Sequence, residues 1–382
     1  METSQKRLVS LDVFRGITIA GMILVNNPGD WGHIYSSLGH AEWHGVTPTD
    51  LIFPFFLFIV GVAITLSLSK RKERGDSTGK LYVQIFRRSV MIFLFGIILA
   101  GFPYFNLATI RIPGVLQRIA LVYCITSFLF LKSNIKTMTI ISFVILFVYW
   151  ALMTLIPVPG VGYANLLPAT NLGAWLDRLL LSGHLWGGAT DPTGMFPNGS
   201  WDPEGLLSTL PAISTGIFGV LTGHYLMKSK DDKTTQTVKM FVLGNIALVI
   251  SMFWDMWFPI NKKIWTSSYV IYCGGMALIF LAMCIYLIDI KGIKWWTKPF
   301  LVYGMNAITV YFLSGIVARL LNLIKVTGAD GIEVNLKTYL FNLLFTPWLS
   351  LVNASLAWAV FYVLIWLGLM WILYAKKIFI KV

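Results

Sequence analysis

Runs of 17 or more predominantly apolar residues, separated by short polar connections, recur along the whole chain. A helix needs about 20 such residues to cross a ~30 Å hydrocarbon core. Backbone polar groups in hydrocarbon must also be satisfied internally, which a helix does by itself. The pattern therefore predicts ten transmembrane helices, over 11–27, 51–69, 86–101, 115–131, 137–156, 205–227, 239–257, 267–288, 299–323 and 353–375. An eleventh apolar segment, 338–350, contains Pro347 and Trp348 and is too short to cross. It is expected as a re-entrant or interfacial helix on the outer face. Residues 1–382 read as a single all-α, polytopic membrane domain, with no internal repeat and no soluble domain.

Charge gives the bundle a direction. Of 30 Lys and Arg, 21 fall on one set of alternating connections and termini, six on the other, and Arg15, Arg118 and Arg319 inside spans. Basic residues mark the cytoplasmic side, so both termini are expected there. A crossing at 338–350 would carry Lys376, Lys377 and Lys381 to the opposite side, against this bias. With 57% hydrophobic and 12% charged residues, well below the roughly one quarter charged in soluble domains, the net +13 does not read as a nucleic-acid footprint. It reads as topology signal and as partners for anionic membrane lipids. Cys124, Cys273 and Cys284 lie within spans and suit core packing rather than disulfides or a metal site. No cleavable signal peptide is expected at Met1–Arg7.

Two outer connections, 28–50 and 157–204, are long enough to be functional. The first hairpin holds the densest polar cluster: Asp12 and Arg15 in span one, then Asn26, Asn27, Asp30, His33, His40, Glu42, His44 and Asp50. Polar groups in or beside the membrane are functional candidates. Histidine, titrating near neutrality, suits a general base, although hydrated loop histidines are the plainer reading. Asp12 and Arg15 share a helix face, as a structural ion pair or a substrate contact. Gln117 and Arg118 sit in the outer half of span four. A buried Arg there needs a carboxylate such as Asp12 or Asp50, carbonyls, or a ligand. Asp202 suits an N-cap with Pro203 in the first turn of span six, and with Glu204 it is also a substrate-binding candidate. Asn306, within span nine, can bond across helices or meet substrate. No Walker loop, dinucleotide glycine pattern, zinc-protease motif or nucleophile elbow is present, which removes support for redox, kinase and hydrolase functions.

The hairpin LVSLDVFRGITIAGMILVNNPGD…GHAEWHGVTPTDLIFPFFLFIVG resembles the heparan-α-glucosaminide N-acetyltransferase family. The resemblance continues through GVLQRIALVY (114–123), LDRLLLSGHLW (176–186), WDPEGLLSTLPAI (201–213) and YGMNAITVYF (303–312). The lumenal domain that precedes the membrane part in animal members is not seen ahead of the first span.

The resemblance implies transfer of acetyl from cytoplasmic acetyl-CoA to a glucosamine amine on the opposite side of the membrane. It assigns the catalytic histidine to His40 and an important asparagine to Asn26, and it leaves His44 at a position where the animal sequence has Asn. Asp50 would orient the imidazole. Lys70, Arg71, Arg87 and Arg88 are the candidates for the CoA phosphates, with anionic lipid as their other partner. The implied partners are acetyl-CoA, an amino-sugar or oligosaccharide acceptor and membrane lipids, with a homodimer also open. The implied location is a bacterial inner membrane. Competing readings are an O-acetyltransferase of envelope glycans and a small-molecule transporter.

Overall fold

The computed structural model describes residues 8–328 and 331–380. Lys6, Arg7 and Lys381, which enter the charge count above, lie outside them. Nine described helices are long and apolar enough to cross a membrane: α1 (Val9–Asn26), α2 (Pro48–Glu73), α3 (Thr78–Gly101), α4 (Val115–Lys132), α5 (Ile135–Leu155), α7 (Thr209–Lys228), α8 (Lys233–Asp255), α9 (Ser267–Cys284, extended to Ile290 by a π turn) and α13 (Leu351–Ala375). Two further pieces, α10 (Lys298–Met305) and α11 (Ala307–Leu323), are long and apolar enough for a tenth only when taken together, and they are bent by 83°. The shorter elements are α6 (Leu172–Leu181), a hairpin of β1 (Lys325–Thr327) and β2 (Glu333–Asn335), and α12 (Leu336–Leu344).

The centre of the bundle is α1, α2, α7 and α9. The most apolar window of α2 is 67% buried and that of α7 61%, against 22% for α3 and for α8, so the latter two turn most of their surface toward lipid. Close packing of α2 on α7 depends on glycine. A Cβ on Gly61 would lie 2.0 Å from the Gly216 carbonyl oxygen, and one on Gly219 2.0 Å from that of Phe58. Small residues at such contacts let backbones meet where lipid supplies no hydrophobic drive for helix association. The ends of α1 and α13 are paired antiparallel: Gly29 N–H donates to Ser355 O at 3.1 Å. The start of α1 and the end of α13 therefore share one face, called here the terminal face. His40 and the start of α2 lie on the opposite, loop face.

Several sequence expectations change. Span nine is not one straight helix: it breaks at Asn306, whose Oδ1 accepts from Ile380 N–H at 2.9 Å and whose Nδ2 donates to Ile378 O at 3.2 Å. The amide bonds the C-terminal tail rather than a neighbouring helix. Span six begins at Thr209 rather than 205, because residues 203–207 form turns ahead of it. Helix α3 begins at Thr78 rather than 86, which moves Arg87 and Arg88 from its first turn to its third; both are exposed. The connection 157–204 contains α6, and the short segment near 338–350 is α12 followed by turns. Cys273 and Cys284 are buried, Cys124 is half-buried, and none is bridged.

Candidate active site

The loop face gathers a polar cluster around His40. Asp50, at the third position of α2, reaches back over its own N-terminus: one oxygen, Oδ2, accepts from Thr47 N–H (3.0 Å), Thr47 Oγ1 (3.1 Å) and Ala41 N–H (3.1 Å). This is the carboxylate half of a capping box. The other oxygen, Oδ1, lies 2.6 Å from His40 Nδ1. One side chain therefore caps the helix, fixes the loop that carries His40 and orients the imidazole. Its side chain is 1% exposed, whereas that of His40 is 41% exposed, so the dyad has a buried anchor and an open tip. A proton on Nδ1, held by Asp50, leaves Nε2 with a free lone pair.

A second loop closes on the same imidazole. Gly45 N–H donates to Ile260 O at 2.7 Å, strapping the His40 loop to the α8–α9 connection. That connection brings Lys262 Nζ to 3.1 Å from both ring nitrogens of His40 and 3.9 Å from Asp50 Oδ1. Lys263 donates to Glu42 O at 2.6 Å and lies 5.9 Å from the Trp43 ring centroid. Trp43 stacks edge-on against Trp201 at 5.3 Å and donates to Leu166 O at 2.9 Å, tying the two long connections together. Burial lowers the Lys262 pKa, and the charges of Glu204 and Asp50 oppose that fall.

Beneath this lies an ion-pair cluster. Arg111 donates to both oxygens of Asp202 (2.8 and 2.6 Å) and to Glu204 Oε2 (2.6 Å). The Asp202 and Glu204 side chains are 0% and 8% exposed. Burial works to lower the Arg111 pKa, but the two carboxylates outweigh it and raise it. Asp202 also accepts from Glu204 N–H at 2.9 Å. It holds a turn and an ion pair rather than capping α7, whose first residue is seven positions further on. Arg118 is fully enclosed and bonded to Gly205 O (3.0 Å) and Ser208 Oγ (2.5 Å), with its guanidinium 5.1 Å from the Trp265 ring centroid. It meets neither Asp12 nor Asp50: Asp12 is near the opposite end of α1, and the Asp50 carboxylate is already engaged by His40, Thr47 and Ala41. Asp177 accepts from Leu206 N–H at 2.8 Å, and burial pushes its pKa up to about 7.

The other candidates are more scattered. Asn26, at the end of α1, is exposed, with no hydrogen bond to the His40 cluster among the described residues. His33 pairs with Asp30 at 2.6 Å, and His44 Nδ1 lies 3.4 Å from Asn261 Nδ2. The Gln117 amide fills the space beside Gly96 and Gly114. Asp12 and Arg15 pair at 3.1 Å in the first turns of α1. At about 1.5 Å per residue Asp12 lies roughly 21 Å and Arg15 roughly 16 Å from Asn26, toward the terminal face. Lys70 and Arg71 end α2 on that face, with Lys70 exposed; Arg88 lies 5.0 Å from the Tyr123 ring centroid. Sequence reasoning counted Lys262 and Arg111 only as loop charges and did not single out Asp177. The available signal was that Lys262 and Arg111 are two of six basic residues on a face otherwise poor in them.

Residues 7–174, which include His40 and Asp50, match the family described as "Heparan-alpha-glucosaminide N-acetyltransferase, catalytic". The chain is 32% identical over 349 residues to the heparan-alpha-glucosaminide N-acetyltransferase of Homo sapiens, and 31% identical over 354 residues to that of Mus musculus. The alignments cover 80% and 81% of this chain but 52% and 53% of those proteins. The chain thus spans about half the length of the curated relatives it matches. By that alignment, and by the match over residues 7–174, the chain belongs to the heparan-alpha-glucosaminide N-acetyltransferase family.

Proposed function

We propose that this protein moves an acetyl group from acetyl-CoA, presented at the terminal face, to the amine of a glucosamine-containing saccharide at the loop face. The observation that carries the reading is the His40–Asp50 dyad: an accessible imidazole whose far nitrogen is fixed by a buried carboxylate. That arrangement supplies a general base with a defined tautomer. The names of the relatives support the acetyl donor and the amino-sugar acceptor. The terminal face is the cytoplasmic one, by the bias in basic residues, so both chain termini are cytoplasmic.

Asp50 and Lys70 are 20 residues apart on α2, about 30 Å along the helix, the depth of the hydrocarbon core. The donor therefore places its phosphates near the basic end of α2 (Lys70, Arg71), with Arg87 and Arg88 further along α3, and sends its arm between helices toward His40. In direct transfer, the acceptor nitrogen attacks the thioester carbon while His40 Nε2 takes the proton from that nitrogen. Collapse of the tetrahedral intermediate breaks the C–S bond, and the departing thiolate takes the proton from His40. Asn26, at the same end of α1, is proposed to donate to the developing oxyanion. Arg111, Asp202, Glu204 and Arg118 shape the floor beneath the acceptor.

The test is acetyl-CoA-dependent acetylation by purified protein in proteoliposomes, against a panel of amino sugars and their hydroxyl-only analogues. N-acetylated product from glucosamine or a glucosaminide supports the reading. Acetylation confined to hydroxyl acceptors, or no transfer to any of them, overturns it.

A further inference from the structure

Lys262 is placed more tightly than a surface lysine. The residue before it, Asn261, is fully buried; it donates from its backbone to Thr266 Oγ1 at 3.0 Å and accepts from Ile264 N–H at 3.1 Å on Oδ1. Ile260 on the near side donates to Asp255 Oδ1 at 2.6 Å, and Trp265 and Thr266 on the far side are buried. The backbone is thus fixed on both sides of the Lys262–Lys263 pair, and the Lys262 side chain is 16% exposed. Its Nζ lies 3.1 Å from each nitrogen of the His40 ring. An atom equally close to both ring nitrogens lies over the face of the imidazole and not along either in-plane lone pair. With Nδ1 turned to Asp50 at 2.6 Å, the Nε2 lone pair that the proposed transfer uses stays open beside the ammonium.

We propose that Lys262 is a second catalytic group: its ammonium, held against the His40 ring, turns to the thioester carbonyl oxygen when the donor arrives and stabilises the oxyanion. The proposal rests on the reading of His40 given above. A positive group 3.1 Å from the ring nitrogens lies within a short side-chain rotation of a carbonyl whose carbon faces the nitrogen that His40 deprotonates. Lys262 keeps its proton throughout: the acceptor nitrogen loses one to His40, and the thiolate recovers it. The charged groups facing Lys262 are His40 and Asp50 from the first hairpin, Glu204 from the connection before α7, Arg118 from α4 and its neighbour Lys263.

The experiment compares wild type, Lys262→Met, Lys262→Arg, His40→Ala and, as a control, the exposed outer-face Lys325→Met, in proteoliposomes with acetyl-CoA and glucosamine. Thermal stabilisation by acetyl-CoA confirms that each is folded. Loss of an oxyanion donor typically costs about 10²–10³-fold in kcat, and Lys262→Met is expected in that range, with KM for acetyl-CoA changed less than about threefold. Lys262→Arg, which keeps the charge, should recover part of the rate, while Lys325→Met should match wild type. A purely structural lysine would lower stability without a loss confined to kcat. If Lys262→Met does not fold, Lys262→Gln provides the neutral comparison with Lys262→Arg. A folded neutral variant with near-wild-type kcat would overturn the proposal while a dead His40→Ala left the reading of the site intact. A wild-type protein that transferred acetyl to no amine would overturn both.

Discussion

Arg111 offers the sharpest test of how the loop face is held together. Replacing it by Leu leaves two carboxylates, Asp202 at 0% and Glu204 at 8% side-chain exposure, without the cation that bonds both. Breaking a buried ion pair from one side costs about 3–5 kcal/mol, because a charge remains buried and uncompensated. The Arg111 side chain is itself 28% exposed, so water softens the loss and the lower end, about 3 kcal/mol, is expected. At about 2 °C per kcal/mol for a large domain, that is a fall of roughly 6 °C in Tm. The sign with pH follows from the pair. Without Arg111 both carboxyls favour protonation in the folded state, so the variant is less penalised at low pH and increasingly penalised as pH rises. Thermal unfolding in detergent should show a larger deficit at pH 7.5 than at pH 5, and Asp202→Asn with Glu204→Gln in the Arg111→Leu background should restore part of it. An Arg111→Leu protein that melts with wild type at pH 7.5 would refute the reasoning.

Three further outcomes follow from other parts of the molecule. Gly61→Val places a side chain where a Cβ already meets the Gly216 carbonyl at 2.0 Å, so it should separate α2 from α7 and lower Tm by several degrees; Gly79→Val, which has open space around it, should not. The Asp177 pKa is raised from 3.8 to about 7, so its contribution to stability is full below about pH 4 and is lost as pH rises through 7. That loss is at most about 4 kcal/mol, and Asp177→Asn should flatten the slope of Tm against pH in this window, an unchanged slope counting against the assignment. In intact cells, a cysteine at position 78, just beyond the basic end of α2, should resist an impermeant thiol reagent applied from outside; its labelling would reverse the proposed orientation.

Much of the fold was legible in the sequence because hydrocarbon forces continuous apolar helices, and these stand out over 20 residues regardless of their partners. What hydropathy does not record is a bend imposed from elsewhere. Span nine breaks at Asn306 because its amide serves a tail more than 70 residues later, and no Pro or Gly at the bend itself announces it. Around the site, Thr47-x-x-Asp50 ahead of an apolar run was a readable capping signature, and it explains why Asp50 can hold His40 with such economy of parts. Lys262 was not readable in the same way: it reaches His40 across 222 residues of sequence, through a loop strap that only the folded bundle reveals. The same distance effect hid which of the possible partners Arg118 takes, a carbonyl, Gly205, 87 residues away, and misassigned Asp202, which Arg111 draws away from a cap.

The central claim is that His40 performs the transfer and does not grip the donor. In proteoliposomes with acetyl-CoA and glucosamine, His40→Ala should lose about 10²–10⁴-fold in turnover, the usual range for a general base. Its acetyl-CoA-induced rise in Tm should remain as large as in wild type, since the phosphates are proposed to bind at the far face. Turnover near the wild-type rate in a folded, acetyl-CoA-binding His40→Ala protein would contradict the account.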